Sequence, residues 1–102
     1  MIKSFLDLST AHVSKATADW LDAQGGLAAA YRTDTDRAPA FTIGSTPYGW
    51  FISLPAAGAD QGRGVPEDLR KVFDYARRHN AFYVLFDQAA DSIDDLETFE
   101  WI

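Results

Sequence analysis

Residues 81–86, Ala-Phe-Tyr-Val-Leu-Phe, put apolar side chains on both sides of an extended chain. A strand of that kind needs both faces covered, so it belongs in a sheet interior. The clearest helical pattern of the sequence lies just before it. Leu69, Val72, Phe73 and Ala76 fall at i, i+3, i+4 and i+7 and form one apolar stripe. Pro66 suits the first helical position. Glu67 and Asp68 in the first turn, and Arg77, Arg78 and His79 in the last, match the helix dipole. Asn80 is a natural left-handed cap.

The other elements follow from alternation and punctuation. Residues 2–8 alternate as a strand, with Ile2, Ser4, Leu6 and Leu8 on one side. Ser9, Thr10 and Ser14 are candidate helix caps. A helix is expected from there to about residue 24, with Gly25 and Gly26 as its stop. Most of 27–38 reads as loop. Residues 40–44 and 48–54 form a hairpin around Ser45-Thr46-Pro47, and the glycine-rich stretch 55–64 is a flexible connection. The order β-α-β-β-α-β predicts an α+β two-layer sandwich of the ferredoxin-like kind, an antiparallel sheet with two helices on one face. The expected core is Leu6, Leu8, Trp20, Leu21, Leu69, Val72, Phe73, Val84 and Leu85.

A chain of 102 residues with 47% hydrophobic and 24% charged residues is expected to form a single domain, residues 1–102, around one core. It has no cysteine, which excludes disulfides, thiolate metal sites and a cysteine nucleophile. No apolar run has the length of a signal peptide or a membrane span, so a soluble, cytoplasmic protein with no membrane partner is expected.

The net charge of −6 is unevenly placed. Up to residue 79, nine basic and nine acidic side chains cancel. Beyond it stand Asp87, Asp91, Asp94, Asp95, Glu97 and Glu100 with no Lys or Arg, which defines an acidic C-terminal segment, 87–102. A direct nucleic-acid binder needs the opposite sign. Such a segment either keeps the protein soluble or docks on a basic partner. Phe99 and Trp101 are expected to pack it back onto the domain.

Residue patterns for catalysis are weak. His12 and His79 have no second ligand at metal spacing. Asp7, Ser9 and His12 crowd one strand-to-helix turn with no oxyanion element, so a capping Ser with a polar His is the simpler reading. The aspartates after residue 86 lack the glycine and ligand spacing of a calcium loop. Gly58, Gly62 and Gly64 precede a helix whose first turn is acidic, against phosphate binding. The strand around Tyr48 and Trp50 echoes the aromatic strand of an RNA-recognition motif but lacks its basic residues, so these aromatics read as core or as a protein-contact patch.

Leu6–His12, Tyr48–Pro55 and Ala81–Asp87 resemble segments of a family of small uncharacterised proteins of bacterial plasmids and prophages. The likeness spans most of the chain and implies a genomic context, not an activity. Small acidic proteins of mobile elements are often anti-defence factors, such as anti-CRISPR and anti-restriction proteins. The combined expectation is a non-enzymatic binding protein without cofactor, metal or catalytic residues, an inhibitor of a basic, nucleic-acid-handling host complex such as a nuclease. Its contact residues would be Asp87, Asp91, Asp94, Asp95, Glu97 and Glu100 with Tyr48 and Trp50. The alternatives are a small ligand-binding or enzymatic domain and a module that homodimerises through its sheet. Cover of the open sheet face by residues 27–38 is the alternative to that homodimer.

Overall fold

The computed structural model describes residues 1–31, 41–56, 58 and 64–101. In chain order the elements are β1 (Phe5–Leu8), a single 3-10 turn (Thr10–His12), α1 (Lys15–Tyr31), β2 (Ile43–Thr46), β3 (Gly49–Ser53), α2 (Glu67–Arg78) and β4 (Tyr83–Asp87). The strands form one sheet in the order β1-β4-β3-β2. The expected loop over 32–38 and most of the glycine-rich connection lie outside the described residues.

The α+β class and the element order are as expected, but the sheet is mixed rather than antiparallel and its order is not the ferredoxin-like one. β4 pairs parallel with β1 and antiparallel with β3, which pairs antiparallel with β2. Three strands therefore run one way and β3 alone runs back. The cause lies in the long connection between β3 and α2. Leu54 leaves β3 beside Phe82, at the end where β4 begins. Yet α2 starts at the opposite end, where Asp68 reaches Ser14, and finishes beside Ser4. The chain thus crosses the sheet's length before the helix, and α2 brings it back to the end it left. β4 then enters antiparallel to β3 instead of completing a parallel crossover. The strand that is apolar on both faces takes an interior place, with two paired neighbours.

Alternation along the strands separates two faces. Leu8, Ile43, Trp50, Ile52, Val84 and Phe86 are buried with Ala18 and Leu21 of α1 and Leu69, Val72, Phe73 and Ala76 of α2 in one core. Both helices thus cover the same face. Of the expected core, Leu6 and Trp20 are partly buried against it. Leu85 is also half-buried, because it points to the other face. Full burial of side chains such as Leu69 and Phe73 contributes about 2–3 kcal/mol each.

The helices differ from expectation at their ends. Pro66 sits at the N-cap of α2, one residue before its first turn. Asn80 adopts the left-handed conformation, with φ of 60°, that ends the helix. α1 passes straight through Gly25 and Gly26 to Tyr31, so residues 27–31 are helix and not loop. Gly25 serves close approach instead: a Cβ there would stand 2.6 Å from Ser45 Oγ on β2. Gly49 has the same role in the sheet, since a Cβ would collide with the Phe86 carbonyl.

Candidate functional site

The acidic segment after β4 has no helix or strand, yet its backbone is tied down along its length. Asp87 Oδ1 accepts from the Ala89 N–H (2.9 Å) and starts the turn out of the strand. The Gln88 N–H donates to the Tyr48 carbonyl (2.9 Å), and the Asp91 carbonyl accepts from the Ser9 N–H (3.3 Å). A turn at Asp94 and Asp95 closes with Leu96 N–H on the Ile93 carbonyl (3.1 Å). The Phe99 N–H donates to the Ala11 carbonyl (2.8 Å). Trp101 Nε1 donates to the Val13 carbonyl (2.8 Å).

His12 is the central fastening. It is 2% exposed. Its Nε2 accepts from the Ile93 N–H at 2.8 Å. Its Nδ1 lies 2.9 Å from the Glu97 carbonyl oxygen. An N–H can only donate and a carbonyl only accept, so the ring is neutral with its proton on Nδ1. One imidazole thereby holds both sides of the Asp94–Asp95 turn. Ser9 caps the 3-10 turn by accepting from the Ala11 N–H (3.1 Å). The crowded Asp7, Ser9 and His12 thus build a corner, with His12 and Ser9 engaged by backbone groups.

The carboxylates themselves face water. Asp91, Asp94, Asp95, Glu97 and Glu100 are exposed and Asp87 is half-buried. None of the six forms an ion pair among the described residues. Tyr48, 59% exposed on the β2–β3 turn, lies beside the segment, and Trp101, 40% exposed, belongs to it. They line a shallow depression of about 230 Å³ with Gln88 and Pro47. Trp50 is different. It points into the core, 6% exposed, and its Nε1 donates to Asp22 Oδ1 of α1 at 2.9 Å. Of the two readings of this residue, core and contact patch, the burial matches the core one, and the ring's small exposed edge borders the depression beside Tyr48. The signal was present in the alternation, since Trp50 shares its side of the strand with the aliphatic Ile52.

Between α2 and the segment lies a cleft of about 390 Å³, with Val72, Leu96 and Phe99 among its apolar walls and Lys71, Arg78, Asp95 and Glu97 among its charged ones. Its two inner titratable side chains are already engaged. His12 is held by backbone on both nitrogens. Asp68 accepts from the Ser14 N–H (2.8 Å) and the Thr17 hydroxyl (2.6 Å). Among the described residues no three His, Asp or Glu side chains gather as a metal site, and no helix is long and apolar enough to cross a membrane.

These features define a small α+β domain with a mixed four-stranded sheet and a fastened acidic C-terminal segment. The model of the C-terminal domain of a family of unknown function, DUF5983, matches residues 5–101, and the chain belongs to that family. Searches of curated proteins and of solved structures found no match.

Proposed function

We propose that this domain is a binding protein whose C-terminal segment docks on the basic, nucleic-acid-contacting surface of another protein. The observation that carries the reading is the contrast within residues 87–101: a backbone fixed to the Ser9–Val13 corner, and carboxylates without cationic partners among the described residues. A backbone already fixed loses little freedom on binding, which favours affinity. A single-sign surface also steers a basic partner and accelerates encounter. Tyr48 and Trp101 add aromatic anchors of the type enriched at binding hot spots. The partner class is one whose groove ordinarily holds phosphates, and a nuclease inhibitor of the anti-restriction or anti-CRISPR kind is the finest form of this proposal.

The test uses Asp91→Asn, Asp94→Asn, Asp95→Asn and Glu97→Gln combined. Proteins captured from a host lysate by the native chain are identified, and their affinity for native and neutralised chains is measured across salt. The proposal expects a folded variant with binding reduced by about tenfold or more, and native binding that weakens with salt and is competed by duplex nucleic acid. Equal affinity for both chains, independent of salt, would show that the acids serve only solubility.

A further inference from the structure

The sheet face opposite the helices carries a second surface, independent of the acidic segment. Phe5, Phe51, Tyr83 and Leu85 project from it. Phe51 stacks on Tyr83, with ring centroids 5.3 Å apart and planes 18° from parallel, and meets Phe5 edge-on at 6.2 Å. Phe5 remains 52% and Phe51 38% exposed. A contiguous apolar patch of this sort on a folded domain marks an interaction site.

The charges around this patch are polarised along the strands. Phe5 pairs with Tyr83 and Asp7 with Leu85, while Asp87 sits opposite Gly49. Asp7 and Asp87 therefore flank one end of the rings. Lys3 precedes β1 at the other end, with its Nζ 5.4 Å from the Phe82 ring centre. Lys3 and Asp7 are four residues apart, about 13 Å along an extended chain.

We propose that this face is covered by a second copy of the chain, packed sheet to sheet about a two-fold axis running across the strands. Of the two face-to-face arrangements, an axis along the strands would set Asp7 and Asp87 against the same residues of the second copy. An axis across them sets each Lys3 end against the acidic end of the other copy, so only this one is complementary. Sheets packed face to face keep their strands within about 30° of alignment. A nucleic acid stacking on the same rings would meet Asp7 and Asp87, with Lys3 the one cation noted at this patch among the described residues, the wrong balance for phosphates. The six acids of the proposed docking segment do not enter this interface except for Asp87.

Sedimentation equilibrium of the full chain tests the proposal. The native protein is expected to be a dimer that Phe51→Glu converts to a monomer while retaining its circular dichroism spectrum. Lys3→Glu lies outside the core and reads the same interface without risk to folding. It is expected to weaken association by about tenfold, and adding Asp7→Lys restores it. A native chain that stays monomeric up to about 1 mM overturns the proposal. So does a dimer indifferent to Lys3→Glu, or a single-stranded RNA that binds the native face and is lost with Phe51→Glu. The neutralised segment variant that keeps Asp87 stays dimeric whichever way its partner test falls, which separates the two proposals.

Discussion

The two helices share one core but are specified in different ways. α2 carries its own instructions. Its apolar stripe supplies four buried side chains, its charges match its dipole, and Asn80 ends it. Between residues 15 and 26, the part of α1 whose side chains are described, Thr17, Ala18 and Leu21 are buried, a mixed face, and this part depends on groups sent from elsewhere. Asp68 of α2 satisfies the Ser14 N–H and the Thr17 hydroxyl at its start. Trp50 of β3 grips Asp22 at its middle. Gly25 lets it settle against Ser45 of β2. A helix can therefore be written in its own periodicity or in its neighbours, and only the first kind is visible to local inspection.

The largest test of this contrast removes what α2 supplies. Phe73 is fully buried and meets Phe41 edge-on at 5.2 Å. Phe73→Ala is expected to cost about 3–5 kcal/mol through lost burial and a cavity, read from denaturant midpoints. An unmoved midpoint would mean that α2 is not the helix that holds the layers together.

A smaller effect isolates α1's dependence. Asp68→Ala leaves the Ser14 N–H and the Thr17 hydroxyl without their acceptor, at about 1.5–3 kcal/mol. Amide exchange should quicken at the start of α1 while the centre of α2 keeps its protection. Uniform loss of protection in both helices would erase the distinction.

The smallest effect is a gain. Gly25→Ala introduces a better helix former, but into space held by Ser45 Oγ. In a Ser45→Ala background, where that oxygen is gone, the change is expected to stabilise by about 0.5–1 kcal/mol. A loss in that background would mean that the glycine is required for its backbone and not for the close approach.

The same distinction explains what was legible in the sequence. α2, the interior strand at Tyr83–Asp87 and the inward side of β1 and β3 follow from short-range periodicity, whereas β4, apolar on both faces, gave no sign that Leu85 points away from the core. Phe99 and Trp101 stood out as anchors because apolar rings in an acidic stretch have little other use. The direction of β4 was not legible, because it depends on where a glycine-rich connection leaves the chain. Gly25 and Gly26 read locally as a stop, whereas the reason for Gly25 sits twenty residues away on β2. His12 looked like a lone polar residue in a corner, and its partners at Ile93 and Glu97 have no side-chain signature, since both contacts are to backbone. For the candidate site, the acids were plain from charge alone, but the fastening that orders them was not.

The pairing of the first strand with the last has a consequence for the chain during synthesis. Among the described strands β1 has β4 as its one neighbour, and His12 closes on residues more than eighty positions downstream. While the middle of the chain is being made, Leu6 and Leu8 have no strand to lie beside and the Ser9–Val13 corner has nothing to hold. Contacts of such long sequence separation slow folding, because the loop must close before they form. Among the described strands the β2–β3 hairpin is the pairing that can form early. β1 therefore stays unpaired until β4 has been made, and a nascent chain stalled before β4 exposes an unpaired apolar strand to chaperones and proteases.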